Sequence, residues 1–98
     1  MTIVAFSVTP IGTSSTSVAD QVAGAIRVVR DSGLPNRTDA MFTSIEGEWD
    51  EVMDVVKGAC DAVLATADRV SLVLKADIRP GMSGQLDAKV KKIEDRLR

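Results

Sequence analysis

The chain has 98 residues, with twelve basic and fourteen acidic side chains, a net charge of -2 and a pI near 5.0, which leaves no electrostatic footprint for nucleic acid. It contains no histidine and a single cysteine, Cys60, so an internal disulfide, zinc sites, and Ser-His or Cys-His nucleophilic systems are excluded. With 45% hydrophobic but only 3% aromatic residues, the core must be built from Val, Ala, Ile and Leu, and a compact monomer of this mass exposes roughly 5,400 Å² after burying about two thirds of its unfolded surface.

Residues 2–10 alternate Ile3, Ala5, Ser7, Thr9 with Val4, Phe6, Val8, Pro10, the period-two pattern of a strand with one apolar face. A linker rich in Ser and Thr, Thr13-Ser14-Ser15-Thr16-Ser17, leads to a capping-box-like start at Ser17 with Asp20 three places on. Val18, Val22, Ile26 and Val29 then predict the buried stripe of a first helix, ended near Gly33. After Leu34-Pro35-Asn36, the segment 37–46 predicts two short strands with a tight turn near Met41 to Thr43. Met41, Thr43 and Ile45 fall on one face there.

Asp50 and Glu51 suit the first turn of a second helix, where carboxylates are favoured by the helix dipole. Its stripe is Val52, Val56, Ala59 and Val63, running to about Ala67. Cys60 lies at helical spacing with these residues and reads as a small core residue. Residues 69–79 alternate Val70, Leu72, Leu74, Ala76 with Ser71, Val73, Lys75, Asp77 and form the last strand. Pro80-Gly81-Met82 breaks it, Ser83 is placed to cap a third helix, and Leu86, Val90, Ile93 and Leu97 line that helix. The order defines one α+β domain over residues 1–98, a ferredoxin-like sandwich (βαββαβ) with an added C-terminal helix. Val4, Phe6, Val8 and Val70, Leu72, Leu74 are expected to face the helices. Ile3, Ala5, Ser7, Val73, Lys75 and Asp77 are left on the opposite face. That face is too apolar for open water and too polar for a dry core, so a subunit interface with a polar pocket is expected there.

No stretch approaches the 18 apolar residues of a membrane span, and the N-terminus is a strand pattern rather than a basic segment followed by an apolar one. A cytoplasmic protein that touches neither membrane nor nucleic acid is the expectation. The Ser/Thr cluster lacks the glycines and lysine of a phosphate loop and reads as a linker.

Three short motifs occur in order: Ser7-Val8-Thr9-Pro10-Ile11-Gly12 after the first strand, Thr43-Ser44-Ile45-Glu46-Gly47 at a strand-to-helix junction, and Lys75-Ala76-Asp77-Ile78-Arg79 in the last strand. Together they resemble a family of small ferredoxin-like proteins that bind thiamin or its hydroxymethylpyrimidine precursor. In that pattern Ala40-Met41-Phe42-Thr43 stands where Pro-Met-Gly-Thr is usual, and Glu48 where an aspartate caps the second helix. The resemblance implies dimers that pair into tetramers, thiamin as bound ligand rather than catalytic cofactor, and no metal.

An aminopyrimidine joined to a cationic thiazolium needs a carboxylate, hydroxyls and an apolar wall. On the resemblance, Glu46 is the first candidate to accept from the exocyclic amine or a protonated ring nitrogen, a charge-assisted bond about twice as strong as a neutral one. Ser7 and Thr43 offer hydroxyls that both donate and accept. Asp77 would balance the thiazolium, with Lys75 pairing Glu46 or Asp77. Phe42 and Trp49 are the stacking surfaces near Glu46. The expected function is non-catalytic binding of thiamin or hydroxymethylpyrimidine at a subunit interface. The alternatives are a regulatory module that senses a small effector, and a histidine-free enzyme using Glu46 or Asp77 as general base.

Overall fold

The computed structural model describes every residue of the chain except 14–17, so the expected capping box at Ser17 and most of the Ser/Thr linker lie outside the described residues. Four strands, β1 (Thr2–Thr13), β2 (Asn36–Thr38), β3 (Thr43–Gly47) and β4 (Ala67–Ile78), form an antiparallel sheet in the order β2-β3-β1-β4. Helices α1 (Val18–Asp31) and α2 (Trp49–Leu64) pack on one face of it. Helix α3 (Gln85–Leu97) follows β4 and crosses onto the other face over β3. This is the ferredoxin-like α+β sandwich with an additional C-terminal helix.

The core is aliphatic apart from one aromatic ring, Phe6: Val4, Phe6, Ala25, Val29, Ile45, Val52, Val56, Ala59 and Val63 are buried together. The α2 stripe Val52, Val56, Ala59, Val63 is the one expected from the spacing, and Cys60 packs half-buried beside it. Burial raises the Cys60 thiol above its ordinary pKa, which favours the protonated form over the nucleophilic thiolate.

Three local expectations are corrected. The buried face of α1 is Gln21, Ala25 and Val29 rather than Val18, Val22, Ile26 and Val29, because Gln21 turns inward and its Nε2 donates to the Thr66 hydroxyl at 2.8 Å and to the Thr66 carbonyl at 3.2 Å. That anchor to the turn between α2 and β4 sets the rotation of α1, so that Val18 is exposed and Val22 and Ile26 are only half-buried. Strand β1 runs three residues beyond Pro10, since β4 pairs with it as far as Thr13. Gly12 permits this extension: its φ is +70°, and a Cβ there would lie 2.8 Å from Asp68 Oδ2.

The third correction concerns the β2–β3 hairpin. Its turn spans residues 39–42, closed by the Asp39 N–H donating to the Phe42 carbonyl at 2.9 Å. Met41 therefore sits in the turn, 74% exposed, and not on the strand face with Thr43 and Ile45. Asp39 Oδ1 causes this by accepting from the N–H groups of both Met41 and Phe42 at 2.9 Å, an Asx turn that diverts the chain before β3 starts. Those two bonds hold the Asp39 carboxyl below its ordinary pKa.

Candidate functional site

The register decides where each candidate side chain points. β1 pairs with β3 at Val4↔Ile45 and Phe6↔Thr43, and with β4 at Ala5↔Lys75 and Ser7↔Val73. Thr43 and Ile45 thus share the helix side with Phe6 and Val4, while Ser44 and Glu46 share the other side with Ser7, Lys75 and Asp77.

Glu46 is 3% exposed and lies beneath the start of α3. Its Oε2 accepts from the Gln85 N–H at 2.9 Å and its Oε1 from the Leu86 N–H at 3.4 Å. The helix has no side-chain cap of its own: the N-cap position is Gly84, at φ +68°, and Ser83, the expected cap, is one residue too early. Glu46 therefore acts as an N-cap supplied from a distant strand, satisfying orphan N–H groups at the positive end of the helix dipole.

Asp77 is engaged as well. Lys89 of α3 donates a short hydrogen bond to Asp77 Oδ2, where Lys75 was the expected partner. That bond is the main cause holding the Asp77 carboxyl below its ordinary pKa. A depressed carboxylate contributes stability above its unfolded pKa and loses it as the pH falls through the folded one. Asp77→Asn should therefore melt slightly below the parent protein at pH 7, with the gap closing below about pH 4 as the parent's own carboxyl protonates; a constant gap measured by circular dichroism down to about pH 2.5 would refute the pairing. On the opposite flank, Arg37 bonds Asp87 at 2.9 Å.

Ser7, Phe42 and Thr43 meet elsewhere, in a half-open cleft of about 370 Å³. Its floor is Phe6 and Val8, its walls are Val22 and Ile26 of α1 and the turn 39–42, and Ser7 and Thr9 form the far rim. The Thr43 hydroxyl is buried and lies 3.3 Å from that of Thr38. Phe42 presents an aromatic surface that is 37% exposed. Trp49 begins α2 and is not among the residues lining this cleft. The five candidates accordingly divide: Ser7, Phe42 and Thr43 line the cleft, whereas Glu46 and Asp77 fasten α3. Among the described residues no group of three or more Cys, Asp or Glu is gathered as for a metal ion, and no helix is long and apolar enough to cross a membrane.

Fold and cleft together define a small ferredoxin-like domain with a recess at the edge of its sheet. The chain belongs to the thiamine-binding protein family, whose pattern it matches over residues 4–94. It is 58% identical over 93 residues to a UPF0045 protein of Mycobacterium bovis, covering 94% of this chain and 90% of that one. It is 37% identical to a UPF0045 protein of Methanothermobacter thermautotrophicus, covering 93% and 94%. Among solved structures it superposes on a DUF77 domain of unknown function from Bacillus cereus with a TM-score of 0.85 at 38% identity, covering 93% and 88%. It also superposes on a Thermotoga maritima protein, provisionally named for thiamine biosynthesis or salvage, with a TM-score of 0.78 at 26% identity, covering 94% and 97%.

Proposed function

We propose that the protein binds thiamin or its hydroxymethylpyrimidine precursor without turning it over, holding the pyrimidine ring in the cleft between β1, α1 and the turn 39–42. The observation that carries this reading is the convergence of Ser7, Phe42 and Thr43 on one recess in a chain of the thiamine-binding family. Its volume lies in the lower part of the ~300–1,000 Å³ range of small-molecule sites. Phe42 supplies the stacking face and Ser7 a hydroxyl at the rim. Thr43 orients the wall through Thr38. Glu46 and Asp77 contribute indirectly, by fixing α3 across the sheet. Both are occupied, by α3 N–H groups and by Lys89, which argues against either serving as a general base.

The thiamine assignment also fits the Thermotoga maritima protein's provisional name. Calorimetry with either compound should give micromolar or tighter binding. Phe42→Ala should weaken it about tenfold, the sum of a lost aromatic contact and its buried area. No heat with thiamin and none with hydroxymethylpyrimidine would end this reading.

Self-association belongs to the same proposal. The chain exposes 6370 Å², about 1,000 Å² more than a compact monomer of its mass. Its radius of gyration is 14.6 Å, against about 12.6 Å for a compact chain of this length. Exposed apolar side chains cluster in two places among others: Leu72 and Val73 along the outer edge of β4, and Val90, Ile93 and Leu97 along α3. A twelve-residue edge strand whose outer side pairs with no strand among the described residues and whose centre is uncharged calls for a partner, and a second copy, pairing β4 antiparallel about Val73, would set Arg69 opposite Asp77 of the partner subunit. Sedimentation should find a dimer or tetramer, and Val73→Glu, which brings two carboxylates together at the two-fold axis, should shift it toward the 10.4 kDa monomer; a parent protein already sedimenting as that monomer would refute the association.

A further inference from the structure

The cleft is lined by four consecutive residues of β1, Phe6 to Thr9. Side chains of a strand alternate between faces, so a recess that touches all four views the strand edge-on. What it sees there is main chain, and the register identifies which.

In an antiparallel ladder the N–H and C=O of one residue point to the same neighbour, and the next residue's point to the other. Met1 and Arg79 exchange both bonds, the Met1 amine donating to the Arg79 carbonyl at 2.8 Å and the Arg79 N–H to the Met1 carbonyl at 3.0 Å. The β1–β4 register continues without a bulge from Thr2↔Ile78 to Ile11↔Arg69. Odd-numbered residues of β1 therefore bond β4, and even-numbered ones face β3. The β3 side agrees: the Glu46 N–H, of even number, turns away from β1 to the Pro35 carbonyl at 3.0 Å, leaving Thr43, Ile45 and Gly47 to pair with Phe6, Val4 and Thr2.

The next residue on that side is Val8, whose counterpart by register would be Met41. Met41 is not there, because the Asx turn has drawn its N–H to Asp39 Oδ1. β3 pairing stops at Phe6 while β1 goes on to Thr13. Val8 is left with one N–H and one C=O side by side, facing the cleft beside Phe42, with no partner among the described residues. Two positions on stands Pro10, which has no N–H to lose; proline is tolerated in a strand on a side that no neighbour pairs.

We infer that the main chain of Val8 reads the ligand, its N–H donating to a ring nitrogen and its C=O accepting from an amine on the adjacent carbon. This inference rests on the pyrimidine-binding reading above and specifies the chemical class: a flat heterocycle carrying a donor amine next to an acceptor nitrogen, as on the 4-amino edge of hydroxymethylpyrimidine. It requires no charged side chain in the cleft. The spacing of Ser7-Val8-Thr9-Pro10-Ile11-Gly12 becomes intelligible too: Val8 is the reader, Pro10 leaves the next edge position without a donor, and Gly12 allows the strand to continue past it.

The test combines two measurements on the full chain. In amide-resolved NMR, hydroxymethylpyrimidine should shift the Val8 N–H downfield and slow its exchange, while the Ala5 N–H, already bonded to β4, stays in place. In calorimetry the 4-oxo analogue, whose ring N–H and carbonyl invert the pattern, should bind about a hundredfold more weakly through loss of two hydrogen bonds. Hydroxymethylpyrimidine that binds without moving Val8, or an oxo analogue that binds equally well, would overturn the main-chain reader and leave the binding function standing. A Val8 amide already protected in the ligand-free protein would overturn it as well, since another chain would then occupy the edge. Absence of binding by both thiamin and hydroxymethylpyrimidine would remove the main-chain reader and the binding function together.

Discussion

Glu46→Ala is expected to lose about 2–4 kcal/mol of stability, the range for removing a buried, charged acceptor and stranding the N–H groups it served. Glu46 is 3% exposed and, among the described residues, is the side chain that accepts from the first N–H groups of α3. The left-handed Gly84 at the N-cap offers no substitute. Glu46→Gln keeps one acceptor oxygen and should lose about half as much. Urea titration followed by circular dichroism would separate the three proteins; an alanine variant with the parent's midpoint would show that α3 does not depend on this carboxylate. Stability and binding are separable here, since Glu46→Ala should lower the midpoint while Phe42→Ala, on an exposed turn, should leave it nearly unchanged.

The second large effect belongs to Phe6, which is 2% exposed in the core and at the same time floors the cleft. Phe6→Ala removes the largest fully buried side chain and should lose about 3–5 kcal/mol, a large share of the ~5–15 kcal/mol that holds a domain folded. Phe6→Leu, closer in volume, should lose about 1 kcal/mol and still fold, so its ligand affinity can be compared with the parent. Equal midpoints for Phe6→Ala and the parent would mean that the sheet does not pack on this ring.

Much of this architecture is legible in the sequence because it is local. The α2 stripe, the two β1 faces, the split of residues 37–46 into two strands and the added helix all follow from periodicity, and all are present. What periodicity could not convey are pairings between distant elements. The rotation of α1 depends on Gln21 meeting Thr66, 45 residues away, and an apolar count favours Val18 over a glutamine. Ser83 looks like a cap by composition, whereas the cap comes from Glu46 on another layer. The same limitation applies to the site. The motifs bring Ser7, Thr43, Glu46 and Asp77 together by order along the chain, with Phe42 beside them; a period-two strand places Thr43 and Glu46 on opposite faces, and that arithmetic is available within the T-x-x-E-G motif itself. The edge at Val8 could have been suspected from Pro10 alone, since a proline inside an otherwise regular strand marks a side on which pairing has stopped.

Helix α3 joins the rest of the molecule through a small set of contacts: one carboxylate beneath its first turn and ion pairs at Asp77 and Asp87 along its length, with Val90, Ile93 and Leu97 left outward. Its unfolding need not wait for that of the sandwich. Hydrogen exchange should find it a separate cooperative unit whose amides exchange through local opening, at a lower free energy than those of β1 or α2. Assembly of further copies against its outward seam would raise that opening energy, so the protection of α3 should rise with protein concentration while that of the sandwich stays constant.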